Sequence, residues 1–348
     1  MSKQRILLLA KLAFLVIFCA LVFYHKQTKP RIMVIHSYSA DYSWVQEINT
    51  GISRFFDKHT NATLRWHYMD LQKHTDADSV RTATTIASGT IEQWKPDIIV
   101  LFDDIAQKKV GMLYLDDPRV KIVFGGVNAK ASDYQYDTAK NVTGILERKP
   151  LAAIEDTIAV LATTSGVPAT RKPRALLIGD ASFSFSAGLI AYAAPEYVWQ
   201  KTDWQKPIAV ETFDQWKEQV ALAQRAADVL LLSDYRTLRL TPGGKVFANP
   251  KEVIAWTEAN SKIPVLGLVA ISTEDGGAIS IAASGFEQGS IAAEMAYDIS
   301  QGKAPSAIPI KSTEQYLIGL RKSAMVNRGI ELPSIYEAFA RATDKFFP

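Results

Sequence analysis

A run of hydroxyl and aromatic side chains follows the first predicted strand, at the position where α/β proteins hold their ligands. The strand is Arg31–His36, and the run SYSADYSW occupies residues 37–44, directly ahead of a helical pattern. Rings can stack on an apolar ligand and hydroxyls can orient it, although the same run would also suit a capped helix start with half-buried rings. The candidate ligand-binding residues here are Ser37, Tyr38, Tyr42 and Trp44.

Two adjacent carboxylates, Asp103 and Asp104, follow the buried strand Asp97–Phe102. Paired carboxylates could do acid/base work or bind a metal, whereas an aspartate at a helix start needs no role beyond capping. We favour a cap for one and a partner for a ligand amine in the other. The next strand ends in GGVNA, where glycine allows close backbone approach and Asn128 offers a donor and an acceptor.

The second half of the chain repeats this arrangement. The segment GDASFSFSAG, residues 179–188, precedes a helix, so its hydroxyls and free N–H groups could hold a carboxylate or phosphate. No Gly-Lys-Ser/Thr follows, which excludes a nucleotide-phosphate loop. A later strand ends in SDYR, where Arg236 could pair with a ligand carboxylate or make an ordinary salt bridge. The candidates from this half are Ser182, Ser184, Asp234 and Tyr235.

No catalytic motif accompanies these residues. The five histidines show no metal spacing, and the sequence contains no HExxH, GxSxG or GxGxxG. The single cysteine, Cys19, lies in an apolar run, so disulfides and thiol chemistry are excluded. Distant residues could still assemble an active site, but we predict no catalytic residue, no metal and no cofactor.

Two series of alternating strands and helices are predicted after Pro30. The 348 residues suit two α/β domains. We therefore predict two doubly wound, Rossmann-like lobes. The predicted strands include Thr63–Met69, Lys121–Phe124, Arg174–Ile178, Pro207–Val210, Val229–Leu232, Pro264–Leu268 and Ala278–Ala283, and the helices include Tyr42–His59, Asp76–Trp94, Phe213–Ala226, Pro250–Asn260 and Gly285–Gln301.

The N-terminal segment predicts a membrane anchor. Ile6–Tyr24 spans nineteen residues interrupted only by Lys11, about the length of a membrane-crossing helix, and two basic residues precede it. Because the run ends in LVFYHK rather than in small residues, we favour an uncleaved anchor over a cleaved signal peptide, with residues 6–24 in the bacterial inner membrane.

The charge of the chain argues against nucleic acid as a partner. The whole sequence has 39 basic and 36 acidic residues, but residues 1–30 hold five basic side chains and no acidic one, so the remainder carries 34 basic and 36 acidic residues. A faintly acidic body lacks the excess lysine and arginine that phosphate binding requires.

Five segments, in order, resemble the periplasmic substrate-binding proteins of ABC transporters, a family that includes tryptophan and tyrosine binders. They are RIMVIHSYSADYSWVQEINTGI, LFDDIAQK, VFGGVNAK, NVTGILERKP and IPVLGLVAISTEDGGAISIAASGFEQGSIAAEMAYDISQGKAPSAIPI, and the resemblance covers roughly residues 31–330. It implies a type I periplasmic binding fold with the ligand between two lobes. The chain would cross between lobes near Val142–Leu146, Thr273–Ala278 and Ala304–Ile310.

On this basis residues 1–30 form the anchor or signal peptide. Residues 31–143, completed by about 277–305, form lobe 1, and residues 144–274, completed by about 306–348, form lobe 2. We expect a periplasmic protein that captures a small organic molecule for an ABC permease. The alternative is a membrane-tethered sensory protein that acts on a separate histidine kinase or diguanylate cyclase.

Overall fold

The computed structural model of the protein describes residues 11–18, 29–59, 62–72, 74–192 and 197–348. The first of these ranges is helical and is called α1. None of the helices in the described part of the chain has the length and apolar character needed to cross a membrane. Apart from α1, the predicted anchor lies outside the described residues.

The remaining elements form two series. The strands are β1 (Arg31–His36), β2 (Thr63–Tyr68), β3 (Ile98–Phe102), β4 (Lys121–Val127), β5 (Val142–Leu146), β6 (Arg174–Asp180), β7 (Asp203–Trp204), β8 (Ile208–Val210), β9 (Val229–Leu232), β10 (Val265–Gly267), β11 (Ile279–Ala283), β12 (Lys311–Ser312), β13 (Tyr316–Arg321) and β14 (Phe346–Phe347). The helices are α2 (Ser43–Phe56), α3 (Ala77–Trp94), α4 (Asp103–Lys109), α5 (Leu151–Thr164), α6 (Phe183–Tyr192), α7 (Phe213–Ala226), α8 (Pro250–Asn260), α9 (Ile271–Glu274), α10 (Gly285–Ser300), α11 (Lys322–Asn327) and α12 (Ser334–Ala342).

The first lobe is built on a parallel sheet with the order β12-β5-β4-β3-β1-β2. Successive side chains of a strand point to opposite faces, and both faces of this sheet are covered. Met33 and Ile35 pack on the side of α3, whereas Ile32 and Val34 pack against α2 and α10. This double burial explains why the central strands are continuous runs of apolar residues.

The second lobe is built on a mixed sheet with the order β14-β13-β11-β10-β9-β6-β7, and β8 also pairs with β6. The strands are parallel except for the pair β11 and β13, which is antiparallel. Helices α5, α6 and α12 cover one face, and α7 and α8 cover the other. The predicted α/β class with parallel sheets is confirmed.

Several elements of the second lobe were not predicted from the sequence. Helix α5 is missing from the predicted elements, because its apolar residues surround much of the helix and weaken the helical periodicity. Strand β13 and helix α12 at the C-terminal end were also missed. In the first lobe, strand β12 at Lys311–Ser312 is likewise absent from the predicted elements.

The crossings between lobes differ from those that the resemblance implied. Val142–Leu146 is strand β5 of the first sheet, so the first crossing follows it at residues 147–150. Thr273–Ala278 lies inside the second lobe, because the next strand, β11, pairs with β10 and β13, and the second crossing is at Ser284. The third crossing is at residues 313–315, after β12 has paired with β5.

These pairings also move the lobe boundaries. Of the segment 277–305 expected to complete lobe 1, β11 belongs to the second sheet, whereas α10 packs on the first lobe. Of the segment 306–348 expected in lobe 2, β12 belongs to the first sheet. Strand patterns show burial but not the neighbouring strand, which is why sequence reasoning misplaced both pieces.

Two glycines allow the returning helix α10 to lie directly against α2. A Cβ at Gly289 would clash with the backbone carbonyl oxygen of Ile48, and one at Gly51 would clash with that of Phe286. The two helix backbones therefore approach more closely than side chains would permit. This packing holds α10 on the first lobe, although α10 follows a strand of the second lobe in the sequence.

Replacing Gly289 by alanine should lower the free energy of unfolding by about 1–3 kcal/mol, because the methyl group would force the two helices apart. The matched control is Gly89→Ala in α3, where a Cβ would meet nothing within 4 Å. That substitution should raise stability by about 0.5–1 kcal/mol through the higher helix propensity of alanine. Urea unfolding of both variants measures the difference, and equal effects would refute the close packing.

Candidate functional site

A cavity of about 150 Å³ lies where the carboxyl ends of the two sheets face each other. Residues of both lobes line it, and the lobes touch across it through the hydroxyls of Tyr38 and Ser184, which are 3.0 Å apart. The predicted binding residues among its lining are Tyr38, Tyr42, Trp44, Asp103, Asn128, Ser182, Ser184, Asp234 and Tyr235. Residues from distant parts of the sequence are thus brought together, and their role in binding stays a prediction.

Three rings from the segment after β1 form one wall of the cavity. Tyr38 and Tyr42 meet edge to face with ring centroids 5.6 Å apart, and Trp44 lies in the first turn of helix α2. Tyr42 also reaches the second lobe, where it packs against the core and lies 5.8 Å from the guanidinium of Arg236. These half-buried rings offer an apolar surface to a ligand.

Asp103 is one of the carboxylates that line the cavity from the first lobe. It is the first residue of α4, its backbone is left-handed with a φ of 68°, and only 4% of its surface is exposed. The indole Nε1 of Trp44 donates to its Oδ1 at 2.8 Å, while its buried Oδ2 has no hydrogen-bond partner among the described residues. Burial raises the pKa of Asp103 well above the ordinary value.

The neighbouring Asp104 has a structural role instead. Its carboxylate accepts hydrogen bonds from the backbone N–H groups of Asn128 and Ala129, each at 3.1 Å, and from the hydroxyl of Tyr134 at 2.7 Å. Burial raises its pKa, although these hydrogen bonds work in the opposite direction. Asp104 therefore ties the loop after β4 to the start of α4 and does not line the cavity.

Ser37 does not line the cavity either. Its buried hydroxyl donates to the carbonyl oxygen of Phe102 at 2.9 Å and accepts from the backbone N–H of Ala106 at 2.9 Å. Both hydrogen-bonding directions of the hydroxyl are thus used to join β1 to the start of α4. The prediction that Ser37 contacts a ligand has no support in this geometry.

A second polar group comes from the loops after β4 and β5. Asn128 donates through Nδ2 to Oε2 of Glu147 at 3.1 Å, and Oε1 of Glu147 lies 2.5 Å from the ammonium of Lys149. Burial lowers the pKa of Lys149, but the charges of Glu147, Tyr192 and Asp234 and the hydrogen bond to Glu147 together outweigh burial and raise the pKa overall. The amide oxygen of Asn128 is buried without a partner among the described residues.

The second lobe contributes two carboxylates. Asp180 accepts from the backbone N–H groups of Ser182 and Thr237 at 3.2 and 2.9 Å, and the hydroxyl of Ser233 donates to Asp234 at 2.7 Å. Burial and the nearby charge of Asp180 raise the pKa of Asp234. Ser182 caps α6 by accepting from the N–H of Phe185 at 3.1 Å, so part of its polarity serves the helix.

Tyr235 and Arg236 are both tied to Asp275. The phenol of Tyr235, which is fully buried, donates to Oδ2 of Asp275 at 2.6 Å, and the guanidinium of Arg236 lies 2.5 Å from the same oxygen. This leaves Tyr235 with little polar capacity for a ligand. Tyr235 lines the cavity, and its contact with a ligand stays a prediction.

Sequence reasoning did not select five of the charged residues that line the cavity, namely Glu47, Glu147, Lys149, Asp180 and Arg236. Glu147 and Lys149 immediately follow strand β5, so the rule that ligands bind at strand ends could have found them. Glu47 lies one helical turn after Trp44, and only the packing of α2 shows that it reaches the cavity.

The sequence of residues 245–343 matches the family model described as ABC transporter substrate binding protein. The predicted resemblance is confirmed. The match covers the last part of the chain, from the loop before α8 to the end of α12. No curated protein matches the sequence.

Solved structures with the same fold cover most of the chain. A conserved domain protein from Vibrio cholerae has a TM-score of 0.66 at 13% identity, with 89% of this chain and 98% of that chain covered. An ABC domain from Streptococcus pneumonia in complex with L-Trp has a TM-score of 0.62 at 14% identity, with 88% and 98% covered. A ligand-free, open substrate-binding protein with adhesive properties from Clostridium difficile has a TM-score of 0.63 at 15% identity, with 88% and 96% covered. The chain thus shares its fold with proteins that bind small molecules.

The substitution Asp103→Asn should stabilise the protein increasingly as the pH rises. A carboxyl whose pKa is raised by folding favours the folded state at low pH, and this advantage is lost as the pH increases from the unfolded pKa of about 3.9 toward the folded value. Asparagine cannot ionise and tolerates a left-handed backbone. The stability difference between the variant and the natural protein should grow by at most about 1.4 kcal/mol per pH unit. Urea unfolding between about pH 5 and pH 8 measures it, and a difference independent of pH would contradict the unpaired carboxyl.

Proposed function

We propose that this protein is a periplasmic solute-binding protein that captures a small organic molecule between its two lobes and delivers it to an ABC-type permease. The observation that carries the proposal is the cavity itself, which is formed by strand ends of both sheets and combines a wall of rings with carboxylates. Ligands bind at this position in open parallel sheets.

The contacts between the lobes support a mechanism of opening and closing. Tyr38 meets Ser184 across the cavity, and Lys345 of the second lobe lies 2.5 Å from Glu47 of the first lobe and 2.8 Å from Glu274. A few polar contacts of this kind are weak enough to break when the lobes separate, and a ligand that touches both lobes would favour the closed form.

The comparisons support the same function. The matched family model is that of substrate-binding proteins, and one structure of the same fold holds L-Trp while another is described as open and free of ligand. The amino acid in that neighbour is consistent with a ring-lined cavity in this chain. The size of the cavity, close to that of a cavity of about 150 Å³ that holds benzene, favours a ligand with a single ring or a comparable apolar group.

Removal of the Trp44 side chain should weaken ligand binding by about 1–3 kcal/mol, because the indole forms part of the ring wall and orients Asp103. The ligand for this test comes from a thermal-shift screen of the full chain in detergent against amino acids, amines, sugars and organic acids. Titration calorimetry then compares the natural protein with Trp44→Ala.

The matched control is Trp94→Ala. Trp94 belongs to the same lobe but lies beside Arg31, at the opposite end of β1 from the cavity. The control should bind the ligand as the natural protein does. If no compound shifts the unfolding temperature, or if both variants bind equally well, the cavity is not the binding site.

A membrane-tethered sensory protein is the second candidate function, and the apolar run Ile6–Tyr24 is the observation that favours it. A tether would keep the two lobes close to a membrane partner such as a histidine kinase or diguanylate cyclase. It would equally raise the local concentration near a permease. The state of the N-terminus therefore bears on how the protein works.

We expect the mature protein to retain its N-terminal segment, since the run lacks a typical cleavage site. Mass spectrometry of the protein purified from membranes should find a product that begins near Met1 and is extracted only by detergent. A soluble product that begins between residues 21 and 31 would show cleavage and favour a freely diffusing binding protein.

A further inference from the structure

We propose that the ligand is a small organic amine with one positive charge and no carboxylate. This ligand class rests on the binding function proposed above. The group that recognises the amine is formed by Asp103 and Asn128, and the rings of Tyr38, Tyr42 and Trp44 hold the apolar part. The charges, the unpaired acceptors and the size of the cavity all favour such a ligand.

The charge of the cavity favours a cation. Among the described residues that line it are five carboxylates and two cationic side chains. The carboxylates belong to Glu47, Asp103, Glu147, Asp180 and Asp234, and the cations to Lys149 and Arg236. A cavity with this excess of acidic groups attracts a positive ligand and disfavours a negative one.

Both cations of the lining are already paired with protein carboxylates. Lys149 lies 2.5 Å from Glu147, and Arg236 lies 2.5 Å from Asp275. A ligand carboxylate would find both positive charges already neutralised, and of their buried nitrogens only Nε of Arg236 lacks a hydrogen-bond partner among the described residues. An amino acid would therefore lose binding free energy by placing its carboxylate here, whereas the corresponding amine without a carboxylate would not.

Asp103 differs from Glu47, Glu147 and Asp234 because no cationic side chain of the described residues lies near it. Its environment contains the indole of Trp44 and the carboxylates of Glu147 and Asp104, and burial raises its pKa well above the ordinary value. Asp234, in contrast, is near the ammonium of Lys149. A ligand ammonium at Asp103 would supply the missing positive charge.

Among the described residues that line the cavity, Glu47, Asp103 and Asn128 of the first lobe each have a buried acceptor oxygen without a hydrogen-bond partner, but the carboxylate of Glu47 is already paired with Lys345. Oδ2 of Asp103 and Oδ1 of Asn128 have no hydrogen-bond partner among the described residues, and both residues line the cavity. A primary ammonium carries three N–H donors and no acceptor. Two of its N–H groups can therefore donate to Asp103 and Asn128, and the third can donate to water. A neutral or acidic ligand group would satisfy these two acceptors less well.

The ring wall and the cavity size define the rest of the ligand. Tyr38, Tyr42 and Trp44 can stack on an apolar group and attract an adjacent cation through their π faces. A cavity of about 150 Å³ suits one ring with a short chain. The ligand class is thus an arylalkylamine or an alkylamine of similar size.

Three compounds that share one skeleton test the proposal. Tyramine, L-tyrosine and 4-ethylphenol all carry a phenol ring on a two-carbon chain; L-tyrosine adds a carboxylate to tyramine, and 4-ethylphenol lacks the amine. Titration calorimetry of the full chain at neutral pH should show that tyramine binds at least 10-fold more tightly than either of the others.

Asp103→Asn should weaken tyramine binding at least 10-fold while the protein still unfolds cooperatively. The control is Asp214→Asn on α7, where the carboxylate is 79% exposed and paired with Lys217, and this variant should bind tyramine as the natural protein does. Equal losses in both variants would overturn the role of Asp103.

The outcomes separate the ligand class from the general function. L-tyrosine binding as tightly as tyramine would overturn the amine proposal and leave a solute-binding protein for amino acids. Tight binding of 4-ethylphenol would overturn it as well, since the amine would then contribute nothing. If none of the three compounds binds, the amine proposal fails, and the thermal-shift screen decides separately whether the cavity binds another class of solute.

Discussion

The close approach of α2 and α10 determines the arrangement of the whole molecule. Glycine at positions 51 and 289 lets the two helix backbones touch, so the chain leaves the second sheet after β11 and returns to the first lobe. The start of α10 then connects two crossings. Glu287 accepts hydrogen bonds from the backbone N–H groups of Glu314 and Gln315, and Gln288 links the N–H of Gly126 to the hydroxyl of Thr313. Because the crossings are held side by side, the carboxyl ends of the two sheets face each other.

This arrangement places acidic groups in a site that water reaches poorly. Most of the buried carboxylates are compensated, by backbone N–H groups for Asp104 and Asp180 or by an ammonium for Glu147. Asp103 is the exception, and it also has a left-handed backbone beside Gly126, whose φ is 63°. Local strain and an unpaired polar atom at one residue are features of binding and catalytic sites, where a ligand offsets their energetic cost.

The neighbouring residues Asp103 and Asp104 show how far a pattern of residue types can be interpreted. Both carboxylates follow the same buried strand, and the sequence predicts a cap for one and a ligand contact for the other. The predicted cap is wrong, because neither side chain caps α4 and Asp104 accepts instead from the backbone of the loop after β4. The direction of each side chain depends on the backbone of the loop after β4 and on Tyr134, which lies thirty residues away. The role of Ser37 likewise depends on distant residues, because its two hydrogen bonds to the start of α4 join segments that are far apart in the sequence.

The sequence by itself determined the α/β class and most strands and helices of the two series, because burial on both faces of a sheet imposes apolar runs. It also determined which strand ends supply the cavity, because parallel strands bring their carboxyl ends together at one edge of a sheet. Tertiary structure alone decided where the chain crosses between lobes, since the residues of a strand such as β11 do not specify which sheet it joins. It also decided which charged side chains are paired. Lys149 and Arg236 pair with Glu147 and Asp275, while no cation from the described part of the chain pairs with Asp103. Such ion pairs depend on distances of a few ångströms that only the packed lobes define.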